Sequence, residues 1–266
     1  MRALVGGLAV ASAVAGLAVS VPGPAQAASR TPWHVTIAVA RTTVTLGQKV
    51  RITGRVDRAA AGRLVRLYER GSAGRRWRYQ RNALVHRDGG YTTYDRPSVN
   101  RRRQYRVVVP ATHRHRKGVS ATIVVDVYRW TTLTTLASVN DVDFDPTASV
   151  AMDGTGYPAS LEVHVQHYPG APTTQSIEFN LDHACTRFRG VFGLSDDSMT
   201  GSGATVTAAA DGTAWFSRTF RVGQSEPNAV TWDVAPLKIR FASVSTVSDA
   251  DGSGAVGTPQ VYCEQP

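Results

Sequence analysis

Residues 249–254 read Asp-Ala-Asp-Gly-Ser-Gly, which sets side-chain oxygens at positions 1, 3 and 5 of a loop with glycine at position 6. A hard cation such as calcium takes oxygen ligands in that spacing, here from Asp249, Asp251 and Ser253. Position 12, where such a loop supplies a bidentate glutamate, is Gln260, and the flanking residues alternate as strands rather than helices. The expected reading is a surface hairpin without a cofactor, with a structural calcium ion as the alternative.

Asp196 and Asp197 close the run SIEFNLDHACTRFRGVFGLSDDS, residues 176–198. Two carboxylates adjacent in one turn do not place an acid and a base across a scissile bond. They either cap the loop or hold a sugar hydroxyl or a cation. His164 and His167, three apart in HVQH, point to opposite sides of a strand and make a poor metal pair. No H-E-x-x-H, G-x-S-x-G or glycine-rich phosphate loop occurs. No catalytic residue is therefore assigned, and a hydrolase using unrecognised carboxylates is the least favoured reading.

The same run carries Cys185, and the one other cysteine is Cys263. Their chemistry depends on compartment. The chain opens with Arg2, an apolar stretch from Leu4 to Val19, Pro22, Pro24 and Ala25-Gln26-Ala27, the order of a secretory signal peptide over residues 1–27. The stretch is too short to span a bilayer, and no later segment is apolar enough to do so, so no membrane span is expected after cleavage. The expected location is extracellular, free or associated with the cell wall. In an oxidising compartment Cys185 and Cys263 have one intramolecular pairing, worth on the order of 4 to 5 kcal/mol by chain entropy. A reactive thiol is the alternative.

The elements that position these groups fall into two halves of opposite charge. Residues 29–130 hold 23 Lys and Arg against 5 Asp and Glu, a net of +18, whereas residues 131–266 hold 6 against 15, a net of −9. Composition changes at Trp130, so the expected domains are a basic one over 33–129 and an acidic one over 131–266.

In the basic half, HVTIAV, TVTLGQKVRITGRV, RLVRLYER, RWRYQRNALV, YTTYDR, QYRVVVP and SATIVVDVY alternate with period two between turn residues. Seven or so antiparallel strands without helical periodicity predict an immunoglobulin-like sandwich, with Tyr105 placed as a tyrosine corner. TVTLGQKVRITGRV, RLVRLYER and YRVVVPAT together resemble the immunoglobulin-like modules of exported actinobacterial proteins, which implies a spacer or adhesive use.

The arginines fall at outward positions, among them Arg63, Arg66, Arg76, Arg78, Arg101, Arg102 and Arg103, with Arg114, Arg116 and Lys117 in a basic loop. They form either a solvated face or a patch, from Arg101–Arg103 and Arg114–Lys117, for an anionic polymer of the cell wall. Nucleic acid is not the expected partner. Trp77 and Tyr79 fall opposite Arg76 and Arg78 and are expected in the core.

In the acidic half alternation resumes at Ser160 in about eight strands, which predicts a jelly-roll sandwich. The order YPASLEV, SIEFNLDHACTRFRGVFGLSDDS, the Asp211-Gly212 turn opening TAWFSRTF, VTWDVAPLKIRFASV and a loop before PQVYC is similar to the NPCBM family of carbohydrate-binding modules. That resemblance spans residues 131–266 and implies a galactose-binding-like jelly roll, in which Cys185 opens a central strand and bonds to Cys263 on the last one. The region from Val139 to Gly156 departs from the family pattern. Tyr157 and Tyr168 border loops and are the expected sugar contacts, beside Asp196 and Asp197, while Trp215 and Trp232 lie in strand patterns and are expected in the core.

The expectation is a secreted, all-β, non-catalytic carbohydrate-binding protein, an immunoglobulin-like sandwich followed by a jelly roll. The alternative is a structural or adhesive envelope protein whose basic half binds anionic wall polymer.

Overall fold

Short alternating runs rich in Val, Thr, Tyr and Phe form strands because β-branched and aromatic side chains suit a pleated, half-buried surface. The structure, a computed structural model, describes residues 30–71, 76–163, 174–246 and 252–264. The expected leader, His164, His167, Tyr168, Asp249 and Asp251 lie outside these residues. Among the described residues there is no α-helix, only two short 3-10 turns at Arg58–Ala60 and Leu133–Thr135.

The first half contributes β1 (Thr31–Pro32), β2 (Ala38–Val39), β3 (Thr43–Thr45), β4 (Val50–Arg55), β5 (Leu64–Arg70) and β6 (Arg78–Leu84). It continues with β7 (Gly90–Asp95), β8 (Arg103–Val109), β9 (His115–Arg116), β10 (Gly118–Val119) and β11 (Ile123–Thr132). One sheet has the order β2-β4-β7, the other β11-β8-β5-β6 with β3 parallel to β11. Ile52 and Tyr91 from the first sheet pack with Val65, Leu67, Tyr105, Val107 and Val127 from the second. This is an immunoglobulin-like sandwich.

Tyr105 is fully buried, and its hydroxyl donates to Asp95 Oδ2 at 2.6 Å, a side chain instead of the backbone carbonyl of a tyrosine corner. Asp95 in turn lies 3.7 Å from Arg103 Nη1, which also pairs with Glu69. Arg103 is thus corrected from an outward patch residue to a buried member of an ion-paired cluster, because β8 turns Arg103, Tyr105 and Val107 to the same inner face. A second correction concerns Trp77 and Tyr79. A bulge between Leu67 and Tyr68 shifts the β5–β6 register so that Tyr79 lies opposite Tyr68 on the outer face, 52% exposed. Trp77 is half-buried on that face, beneath Arg70 and Arg106.

The second half contributes β12 (Ser138–Val142), β13 (Phe144–Met152), β14 (Thr155–Val163), β15 (Gln175–Asn180) and β16 (Cys185–Leu194). After these come β17 (Gly203–Ala210), β18 (Thr213–Arg221), β19 (Ser225–Thr231), β20 (Lys238–Ser245) and β21 (Gly254–Cys263). Strands β14-β21-β16-β19 form one sheet and β15-β20-β17-β18 the other, the interleaved order of a jelly roll, with β13 and β12 extending the edges. Phe179, Phe188, Phe192, Phe220 and Phe241 fill the space between them, each fully buried. β12 and β13 occupy a region where the sequence alternation predicts no strand; β12 is largely exposed and β13 carries Pro146 at its edge.

Cys185 faces Cys263 across β16 and β21, and the two form the expected disulfide. β11 runs through Trp130 without a break. Ile123–Val125 pair with β8, and Arg129–Thr132 pair with Cys263–Gln260 of β21, so one strand serves both sandwiches.

Candidate ligand-binding groove

The outer face of β14, β21, β16 and β19 is shaped by a bulge. Arg189 pairs with Gln260 and Val191 with Gly257, which leaves Thr258 and Pro259 on β21 opposite Gly190 alone. Thr258 takes a left-handed φ of 45°, and its backbone N–H donates to Ser160 Oγ at 3.3 Å while its hydroxyl donates to the Pro158 carbonyl at 2.9 Å. The bulge thereby marks the point where β21 exchanges β14 for β11 as its neighbour.

Over this point lies an open groove of about 620 Å³, lined by Arg189, Gly190, Val191, Pro227, Asn228, Ala229, Gly257, Thr258 and Gln260. Small and apolar residues make most of its floor, and Arg189, Gln260, Asn228 and Thr258 bring the polar groups. Arg189 Nε donates to Gln260 Oε1 at 2.8 Å, and its guanidinium lies 4.3 Å from the Trp130 ring centre, which fixes its direction without a carboxylate. Tyr157 borders the groove: a Cβ on Gly257 would lie 2.6 Å from Tyr157 Cγ, so the ring rests directly over that glycine.

Of the residues expected to contact sugar that lie among the described residues, Tyr157 alone adjoins the groove. Asp196 accepts backbone N–H groups of Asp153 and Gly154, each at 2.9 Å, and so clamps the β13–β14 turn. This is the loop-capping role. Asp197 is exposed on the same loop. Ser253 is tied to that loop through its N–H to Ser198 Oγ at 3.0 Å and its carbonyl to Ser195 N–H at 2.9 Å. Among the described residues no group of three or more His, Cys, Asp or Glu could hold a metal ion. Trp215 and Trp232 pack at the margin of the jelly-roll core, 5.5 Å apart and edge to face.

The six expected patch residues have different fates. Arg102 Nε bonds Asp126 Oδ1 at 2.9 Å, which raises its pKa further, Arg101 is half-buried, and Arg103 is internal. Arg114, Arg116 and Lys117 stay exposed, with Arg116 Nε donating to the Arg30 carbonyl at 2.7 Å.

Arg189, Asn228 and Gly257 line the groove without being singled out by sequence reasoning, which names Gln260 only as the residue that breaks the calcium-loop pattern and Trp130, the ring against Arg189, only as a boundary. A signal exists for Arg189: it and Arg187, two apart on one strand, are two of only six basic residues in an acidic half.

No family model and no curated protein matches the chain, so the likeness to the NPCBM family rests on its sequence motifs alone. Among solved structures, the chain is similar to a CBM61 module described in complex with β-1,4-galactotriose, at 10% identity and TM-score 0.27, covering 52% of this chain and 88% of that one. A carbohydrate-binding module CBM36 described in complex with calcium and xylotriose has 10% identity and TM-score 0.27, over 50% and 98% of the two chains. An allantoicase from Saccharomyces cerevisiae has 9% identity and TM-score 0.29, over 81% and 77%. At these scores the likenesses carry no argument about ligand or activity, and the conclusion for this chain is an all-β protein of two sandwiches.

Proposed function

We propose that the protein is a secreted, non-catalytic carbohydrate-binding protein that holds an extracellular or cell-wall glycan in the groove across β19, β16 and β21. The observation that carries this reading is the groove itself. Its floor of Gly257, Ala229 and Val191 offers a flat apolar surface to a sugar ring, and Asn228, Gln260, Arg189 and Thr258 offer hydrogen bonds to hydroxyls at its margin. Tyr157 adds an aromatic edge. The disulfide suits an oxidising compartment.

The test is a glycan array probed with the full oxidised chain at physiological and high salt. Binding to defined sugars that survives high salt and is lost in Gln260→Ala supports the proposal, since hydrogen bonding and stacking on neutral sugars resist screening. A blank array, or binding indifferent to Gln260→Ala and Asn228→Ala, counts against it. The full chain is needed because a fragment beginning at residue 131 lacks most of β11, which pairs with β21.

A further inference from the structure

On the outer face of β5, β6 and β8, two guanidinium groups share one indole. Arg70 Cζ lies 4.6 Å and Arg106 Cζ 4.1 Å from the centre of Trp77, and Arg106 also lies 5.9 Å from the centre of Tyr68. Tyr68 meets Tyr79 edge to face at 6.0 Å, and Tyr79 is half open to solvent. Arg66 is exposed on the same face, two residues before Tyr68.

No carboxylate answers these charges among the described residues. Glu69, between Tyr68 and Arg70, turns inward to Arg103, and Asp126 on the neighbouring β11 is taken by Arg102. Arg70 is held by Gln104 through Nε to Oε1 at 2.7 Å, a neutral partner that orients it and leaves its charge uncompensated. Arg106 Nε is buried without a hydrogen-bond partner. Burial and the nearby Arg70 both press the Arg106 pKa below its ordinary value, as two like charges in one niche require.

An arrangement of this kind is costly in the free protein and is relieved by an oxyanion, which can take N–H donors from both forks at once. The exposed Tyr79 ring beside the pair gives a flat, partly apolar surface of the kind a sugar ring covers. We propose that this face binds an anionic polysaccharide, whose carboxylate or sulfate is held by Arg70 and Arg106 beside Trp77 while an adjoining sugar ring lies on Tyr79. The site is separate from the jelly-roll groove and does not rest on the reading of that groove.

The experiment is binding of the full chain to heparin across a salt series, with neutral dextran and an oligo-dT strand as comparison probes. Arg70→Gln/Arg106→Gln is expected to weaken heparin binding by about tenfold or more and to flatten its salt dependence. The exposed pair Arg114→Gln/Arg116→Gln, of equal charge change, is expected to weaken it by less than about threefold. Equal losses in the two double variants would overturn the site, since net charge alone would then explain binding. Equal affinity for dextran would also overturn it, and tighter binding of oligo-dT through the same arginines would replace it with a nucleic-acid site. Where the Arg70/Arg106 variant fails to fold, Tyr79→Ser decides between the outcomes: a loss of about fivefold with an unchanged salt slope supports the proposal, and unchanged affinity overturns it.

Discussion

Trp130 stands opposite Tyr262 in the antiparallel ladder of β11 and β21, with ring centres 5.1 Å apart. Tyr262 also stacks on Tyr128 at 5.1 Å, takes Arg187 over its ring at 5.3 Å and shares a 2.7 Å hydrogen bond with Thr45 Oγ1. Tyr128 and Thr45 belong to the first sandwich and Arg187 to the second, so one buried ring touches both. The junction is a continuous strand with an aromatic cluster on it, in place of a Pro- or Gly-rich linker.

Tyr262→Ala should therefore lower stability by about 3 to 5 kcal/mol, the range for deleting a buried aromatic ring. Urea unfolding should also split, with the two sandwiches melting separately once the shared cluster is gone. Tyr262→Phe keeps the stacking and loses the bond to Thr45, and should cost only about 1 kcal/mol. A single unshifted transition in Tyr262→Ala would show that the ring does not couple the sandwiches.

Arg103 offers a sharper test of the first sandwich. Its side chain is 7% exposed and stands between Glu69 and Asp95, at 13% and 11%. Removing it leaves two carboxylates enclosed without a cation, and Tyr105 bonded to one of them. Arg103→Ala should cost about 3 to 5 kcal/mol, read by chemical denaturation, whereas Arg114→Ala on the exposed loop should stay within about 0.5 kcal/mol.

Sequence reasoning places Arg103 outside and Tyr79 inside for two different physical reasons. Period-two alternation reports which residues share a face, yet the sign of the face comes from the apolar members, and a charged residue on an inner face looks like an error in the pattern. Arg103, Tyr105 and Val107 are in step, and of the carboxylates that admit Arg103, Glu69 arrives from β5, distant in sequence, and Asp95 from the end of the preceding strand β7. Tyr79 is displaced by the bulge opposite Leu67 and Tyr68, which no local residue announces. The two-sandwich, all-β fold and the Cys185–Cys263 bond are legible because they depend on repeated alternation and on having only two cysteines. The groove is not, since it is made by a bulge at Thr258 and by an Arg189 held against Trp130, which composition alone marks as a boundary.

Glu264 should give the junction a pH dependence. Burial, with Asp126 close by, raises its pKa above the ordinary carboxylate value. The folded state thus holds the proton more tightly than the unfolded chain. That contribution is fully present below the unfolded-state pKa, and is lost as pH rises through the raised folded value. In urea titrations across the mildly acidic range, the wild-type chain should lose stability with rising pH relative to Glu264→Gln, which carries no titrating group. Parallel profiles in the two proteins would show that Glu264 is not the source.

Gly257 tests the groove by filling it. A Cβ there would stand 2.6 Å from Tyr157 Cγ and 2.8 Å from Met152 Cε, too close for either atom to remain in place. Met152 is fully buried against Val150 and Ala255, and Tyr157 Cβ, also 2.8 Å away, is fixed to the backbone, so relief requires β14 to shift and carry the Tyr157 ring with it. Gly257→Ala should thus tilt Tyr157 away and narrow the floor beside Gln260, at a cost of about 1 to 3 kcal/mol in stability, as overpacking does. Binding of the tightest sugar from the array should weaken by about tenfold in titration calorimetry, a loss of the order expected for one displaced aromatic contact. Tyr157→Ala removes the ring and its 2.6 Å contact but keeps Cβ, which would still lie 2.8 Å away, so the double variant Gly257→Ala/Tyr157→Ala should regain only part of the stability and none of the affinity. A folded Gly257→Ala protein that binds as tightly as the wild type would place the glycan away from this groove.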